Sequence, residues 1–408
     1  PNIEKRASAE FLHLCLVKKI WTDWLFTNLE SPVSNGMLWI NDDGSIARVL
    51  QPFDPDYRAE DAEYLPGWIV PGFVNAHCHL ELSHLKGKIE ERTGLNGFVS
   101  ALMQVRNNFN DDRQIAIEEA DREMYHSGIV AVADICNGNS TFNQKKNSSV
   151  YYHSLIERFG FNSQMAQTIA NEGQALMADL GDEAGNMCLH APYSASIELQ
   201  KLVKEHLDNI PKGFYSIHHA ESEAEIELFN TGEGSMADRM RNIGLIEREF
   251  PFIGIRPIDY LMDFFPESKN ILLVHNTFIS AADLEKLKPY RDRLFLCLCP
   301  NANLYIENTL PNIEQLRESG ILITVGTDSL ASNHQLDMLS EIKVIHQYFP
   351  SIPLEELFRW SSFNGAKLLG IEKEKGHFSQ GSKPGIVHIQ AVDNTQKKLT
   401  FESYSRLI

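Results

Sequence analysis

Ile69-Val70-Pro71-Gly72-Phe73-Val74-Asn75-Ala76-His77-Cys78-His79 opens on an apolar run of strand length, Ile69–Ala76, and closes on two histidines. Side chains alternate along an extended strand, so His77 and His79 point to one side and Cys78 to the other. Two imidazoles on one side can share a metal ion. Such a pair is a weak signal alone, and its weight depends on what repeats downstream.

Seven more short apolar runs follow: Ile129–Ile135, Val150–Leu155, Met187–His190, Phe214–Ile217, Ile271–Val274, Leu294–Leu298 and Ile321–Val325. Between them lie segments of helical period, Asn96–Phe109, Ala116–His126, Ala166–Asp179, Ile197–Leu207, Ala281–Leu287 and Ile313–Ser319. This is the rhythm of a parallel sheet with crossover helices, and eight such strands predict an α/β fold, a (β/α)8 TIM barrel. Counting alone leaves an open sheet available. Leu336–Phe349 and Leu354–Leu369 read as two closing helices. Upstream, Phe11–Val17, Met37–Ile40 and Ile46–Leu50 read as short strands, with Asn41-Asp42-Asp43-Gly44 as a hairpin turn. Strand-like segments return at Ile386–Val392 and Leu399–Tyr404. Residues 1–70 and 375–408 are therefore expected to join into a small accessory β-sandwich domain beside a barrel of residues 71–374.

A chain of 408 residues with 37 basic and 55 acidic side chains carries a formal charge of −18. That surface repels phosphates, which disfavours a nucleic-acid or anionic-membrane partner and says nothing against a neutral or cationic small-molecule substrate. No apolar stretch is long enough to span a bilayer, and Phe11–Val17 is interrupted by His13, so no leader is expected. The six cysteines contain no CxxC pair and read as reduced thiols of a cytoplasmic protein. Cys297 and Cys299 share a strand face, which two buried small apolar side chains explain more simply than a metal site does. Whether the chain forms a homo-oligomer stays open.

Catalytic groups of a barrel collect at the carboxyl ends of its strands. The fifth run ends in His218-His219-Ala220-Glu221-Ser222, the sixth in His275-Asn276 and the eighth in Gly326-Thr327-Asp328-Ser329. Each residue has a plain reading, a neutral buried histidine or an aspartate capping the next helix. Independent structural residues would not gather at the ends of strands one, five, six and eight. A nucleotide-binding oxidoreductase on an open sheet would need a glycine-rich loop where His77 and His79 stand.

Together with Cys299-Pro300-Asn301-Ala302-Asn303-Leu304 and the run from Gly326 to Asn333, these stretches resemble the amidohydrolase superfamily. The resemblance is to its mononuclear aminohydrolase branch, which includes cytosine, guanine and S-adenosylhomocysteine deaminases and triazine hydrolases, and it runs from about Met37 onward. It implies that His77, His79, His218 and Asp328 hold one divalent metal, zinc first and ferrous iron second. His218 is chosen over His219 by the family's spacing to Glu221, and His219 is expected to be structural. The fourth run ends in Leu189-His190-Ala191-Pro192, with no lysine to bridge a second ion.

The chemistry expected of such a site is hydrolytic deamination, with metal-activated water attacking the amine-bearing carbon. Asp328 is expected to bind the ion and accept the water's proton, Glu221 to protonate the ring nitrogen and then the departing ammonia, and His275 to orient the nucleophile. His190 resembles a substrate-contacting position, Glu81 could bond a polar ring edge, and Asn303 could touch substrate or fix its loop. The segment His77-Cys78-His79-Leu80-Glu81-Leu82-Ser83 looks like that of aminofutalosine deaminases. An adenine ring whose ribose carries a benzoate would then need a cation, with Arg92, Arg239 or Arg241 as candidates. Rival readings are hydrolysis of guanine, a triazine or a formimino group, and a metal-less scaffold. The scaffold would be expected to lack a ligand, yet all four positions and Glu221 are present.

Overall fold

The computed structural model describes residues 17–106, 108, 112–181, 183–246 and 253–408. The expected strand Phe11–Val17 lies outside the described residues except for Val17, as do Cys15 and His13. The strands are β1 (Lys18–Leu25), β2 (Val33–Ser34), β3 (Met37–Ile40), β4 (Ile46–Leu50), β5 (Glu63–Pro71), β6 (Phe73–Cys78), β7 (Ile129–Cys136) and β8 (Tyr151–Arg158). They continue as β9 (Gly185–Leu189), β10 (Phe214–His219), β11 (Asn270–His275), β12 (Leu294–Leu298), β13 (Leu322–Val325), β14 (Ile386–Gln390) and β15 (Tyr404–Leu407).

The run read as one strand, Ile69–Ala76, is two. Ile69–Pro71 ends β5, which pairs antiparallel with β14 and parallel with β1, while Phe73 begins β6. The switch falls at Gly72, whose N–H donates to Gly385 O at 3.2 Å and where a Cβ would come within 2.4 Å of Pro384 O. An uninterrupted apolar run conceals such a change of sheet, because both halves are buried.

Strands from both chain ends share one seven-stranded sheet, ordered β15-β14-β5-β1-β3-β4 with β2 on β1. Alternation along β5 divides its burial: Leu65 and Ile69 join Ile20, Leu38 and Ile46 in this sheet's own core, while Trp68 and Val70 face the larger core. The last strand begins at Tyr404 rather than Leu399, because Thr400 and Ser403 hydroxyls donate to Ala391 O and hold 399–403 in a turn.

The middle of the chain forms two four-stranded parallel sheets, β6-β7-β8-β9 and β10-β11-β12-β13. All eight residues of β7 and all six of β6 are buried, the continuous pattern of strands covered on both faces. Hydrogen bonds join the sheets at both seams. His218 N donates to His190 O at 2.9 Å, and Thr327 N and Asp328 N both donate to His77 O at 3.1 Å. One apolar cluster takes Val74, Ala133, Leu155 and Cys188 from the first sheet and Phe214, Leu272 and Phe295 from the second.

The helix expected over Leu354–Leu369 is two, Leu354–Trp360 and Phe363–Leu369. Ser361 breaks it by donating its hydroxyl back to Leu357 O while its own carbonyl accepts Val74 N from β6. Between β10 and β11 the chain adds the helices Glu223–Thr231, Ser235–Asn242 and Pro257–Met262. Among the described residues no helix is long and apolar enough to cross a membrane. The five described cysteines are free and buried, Cys297 and Cys299 within the same apolar cluster.

Candidate metal centre and active site

The carboxyl ends of β6, β10, β11 and β13 meet at one point. His77 and His79 Nε2 lie 3.1 Å apart, and Asp328 Oδ1 stands 3.7 Å from the first and 3.4 Å from the second. Nitrogens of His77, His79 and His218 all fall within 4.8 Å of one another. The His218 ring centroid is 4.9 Å from that of His77 and 5.3 Å from that of His275.

Local backbone geometry aims these groups. Ala220, His275, Asn276 and Asp328 all have left-handed φ values of 47°, 71°, 55° and 56°, a conformation non-glycine residues adopt only where the surroundings enforce it. Each sits where a strand turns into its loop. His218 Nδ1 contacts His190 O at 2.6 Å, which places the proton on Nδ1 and leaves Nε2 as a lone pair toward the centre. Ser332 Oγ donates to Asp328 Oδ2 at 2.6 Å, orienting the carboxylate.

Burial sets the protonation states. It drives His77, His79 and His275 well below the ordinary imidazole value, with the neighbouring imidazoles adding to the effect, and lowers His218 to about 4. Neutral imidazole is the form that binds metal. Ligands of a tetrahedral ion at about 2.0–2.1 Å lie about 3.3 Å apart, close to the separations among His77, His79 and Asp328. Three neutral imidazoles and one carboxylate fit a divalent cation.

Glu221 is buried and its Oε1 lies 3.5 Å from His275 Nε2. Burial first, then the Asp328 charge, raise its pKa well above the ordinary carboxyl value, which favours the neutral acid. Its backbone N–H donates to Glu225, a residue the sequence did not single out.

These side chains open into a cavity of about 930 Å³. His79, His190, His218, Glu221, His275 and Asp328 line its floor. The helices Gly94–Val105 and Ser235–Asn242 supply an apolar outer wall that includes Phe98, Leu102, Met236 and Met240. His190 is therefore brought to the cavity, its Nδ1 3.2 Å from Ser194 Oγ.

Glu81 and Asn303 are not among the lining residues. Glu81 turns behind the wall, accepting from Asn137 N at 3.1 Å and facing Arg106 at 3.4 Å. Asn303 donates to Thr277 Oγ1 at 2.5 Å. Of the three arginines, Arg239 lines the cavity, Arg92 is exposed away from it, and Arg241 pairs with Glu233 and Asp238. His219 is buried with Nδ1 3.0 Å from Asn276 Oδ1, away from the cavity lining. Sequence reading missed Arg106, Asn137 and Glu157, all of which line the cavity. For Glu157 the signal was position: it lies two residues past Leu155, at the carboxyl end of β8.

The amidohydrolase family profile matches residues 68–405. The chain is 27% identical over 310 residues to an adenosine deaminase of Helicobacter pylori, covering 74% of each chain. Among solved structures it is similar to Helicobacter pylori aminofutalosine deaminase in complex with methylthio-coformycin, at a TM-score of 0.78 and 22% identity, covering 94% of this chain and 93% of that one. It is also similar to an adenosine deaminase from Xanthomonas campestris with bound zinc, at a TM-score of 0.65 and 18% identity, covering 91% and 84%. These likenesses give an α/β fold of TIM-barrel type, and with strand-end histidines and a family match over most of its length, this chain belongs to the amidohydrolase family.

Proposed function

We propose that the protein is a metal-dependent hydrolytic deaminase of an aminated purine ring carried on a nucleoside, an adenosine-type or 6-amino-6-deoxyfutalosine substrate. The observation that carries this reading is the convergence of three imidazoles and the Asp328 carboxylate beside the buried Glu221 carboxyl, at the floor of a cavity large enough for a substituted nucleoside. The relatives named as adenosine and aminofutalosine deaminases support it.

His77, His79, His218 and Asp328 are the residues proposed to hold the ion. Zinc is the inferred metal, with ferrous iron compatible with the same donors. A divalent cation held by these residues would supply the activation of water for hydrolysis near neutral pH. Asp328 would accept a proton from the attacking water as the new C–O bond forms. Glu221 gives its proton to the ring nitrogen beside the reacting carbon, which draws electrons from that carbon. It then takes the remaining proton of the added oxygen and passes it to the amine as the C–N bond breaks to release ammonia and C=O forms, and the proton held by Asp328 returns to Glu221. His275, 3.5 Å from Glu221, orients the nucleophile. His190 contacts the bound ring, and Arg239 at the cavity wall would meet a substrate carboxylate.

The same reading takes residues 71–374 as a closed (β/α)8 barrel, supported by the hydrogen bonds across both seams between the parallel sheets. It takes 1–70 and 375–408 as one accessory β domain, supported by the single sheet that strands from both chain ends share and by the core that Ile46 and Ile386 join. The sandwich expected there would need a second sheet. The free, buried cysteines support a cytoplasmic enzyme.

Ammonia release from adenosine, S-adenosylhomocysteine, aminofutalosine, guanine and cytosine tests the proposal. Turnover of an adenine nucleoside is expected, and Glu221→Gln should lower it about 10²–10⁴-fold at full metal content. No turnover of any adenine nucleoside, or an unimpaired E221Q, overturns it.

A further inference from the structure

Glu157, next to last in β8, is 3% exposed yet lines the cavity. Its Oε2 accepts Asn137 Nδ2 at 2.8 Å, while its buried Oε1 has no hydrogen-bond partner among the described residues. A buried carboxylate oxygen left unpaired costs stability, so its persistence points to a partner that the bound state supplies.

The wall around it is polar and cross-linked by hydrogen bonds. Arg106 donates to Asn137 Oδ1 at 3.0 Å, Asn137 N donates to Glu81 at 3.1 Å, and Arg158 donates to Asn137 O at 2.8 Å. Asn137 is held from both ends of its side chain and through its backbone, and it fixes Glu157 in turn. Arg106 and Glu157 thereby present a donor and an acceptor on one side of a cavity whose other walls are mainly apolar.

We propose that Glu157 reads the sugar hydroxyls of the substrate, making the enzyme selective for ribonucleosides over free bases and hydroxyl-lacking analogues. This rests on the nucleoside-deaminase reading above. The chemistry of the base argues for the sugar. A 9-substituted 6-aminopurine carries acceptors at its ring nitrogens and no N–H except on the amine that departs. The unreacted substrate group suited to Glu157 Oε1 is therefore a sugar hydroxyl, which can donate to the carboxylate and accept from Arg106 at once. A hydrogen bond to a charged acceptor is worth about tenfold to a hundredfold in discrimination. Glu157, His190 and His218 also offer three donors within 4.8 Å, so a second cation is the competing occupant.

The test compares adenosine with 2′,3′-dideoxyadenosine on the metal-loaded enzyme, by kcat/KM and by calorimetric binding. Wild type should favour adenosine by about tenfold to a hundredfold, and E157Q should reduce that preference at least several-fold while keeping one metal per chain. A thermal melt shows whether E157Q is folded, and E157D, which keeps the charge on a shorter arm, should retain part of the preference. A wild-type enzyme indifferent to the hydroxyls, or an E157Q that keeps the preference, overturns the inference. So does a second metal equivalent lost in E157Q, or guanine turnover that E157Q alone abolishes. Hydroxyl-dependent binding without ammonia release would defeat the deaminase reading and leave this one standing. Ammonia release without hydroxyl dependence would do the reverse.

Discussion

Lys145 Nζ and Asp134 Oδ2 meet at 2.5 Å with side chains 3% and 0% exposed, an ion pair sealed behind the first parallel sheet. Its second contact explains its place. Asp134 Oδ1 accepts the backbone N–H of Leu80 at 2.7 Å, and Leu80 directly follows His79. The pair therefore fixes the loop that carries one proposed metal ligand.

Removing one partner leaves the other charge buried and uncompensated, which costs about 3–5 kcal/mol. Lys145→Met should lower unfolding stability by that amount in urea titrations. Replacing both residues, K145M with D134N, should recover part of the loss, because no net charge then remains inside.

Gly326 packs its backbone on His77: a Cβ there would lie 2.8 Å from His77 N, O and Cβ. Backbone cannot swing aside as a long side chain can. Gly326→Ala should therefore cost about 1–3 kcal/mol and weaken metal binding by displacing His77. Urea unfolding with elemental analysis of the same preparation checks both, and an unchanged metal content would mean the strand shifts as a unit.

The adjacent histidines should separate cleanly. His218 lines the cavity with Nδ1 engaged by His190 O, whereas His219 Nδ1 is engaged with Asn276 away from it. His218→Asn should lose metal affinity by on the order of tenfold or more, and His219→Asn should keep the wild-type content. Competition with a chromogenic chelator measures the two.

His153 offers a pH test remote from the proposed ligands. It is buried, with Nε2 2.7 Å from Asn186 Oδ1, and desolvation lowers its pKa from 6.5 to about 4. The folded value is depressed, so the unfolded chain takes up the proton first as pH falls. The stability this group contributes is complete above about 6.5 and is lost as pH drops toward 4, about 3 kcal/mol in all. His153→Gln keeps a donor for Asn186 but cannot titrate. Its urea midpoint should fall less than that of wild type between pH 7 and pH 4.5.

The strand ends were legible because alternation and run length are local properties. His77 and His79 declare a shared side by their spacing, and His218, His275 and Asp328 each close an apolar run. The helix from Ile197 was legible from its apolar period, and the structure adds its cap, Ser196 accepting Leu199 N. The break at Ser361 was not, since a serine inside a helical pattern reveals its back-bond only once Val74 claims its carbonyl.

By itself the sequence determined which chemical groups stand at the strand ends, because periodicity turns residue order into direction. Only the tertiary structure decided what those groups meet. Glu81 turning to Asn137 rather than the cavity, the strand switch at Gly72, and the unpaired oxygen of Glu157 all depend on segments distant in the chain. Desolvation and through-space contact exist only after those segments have packed together.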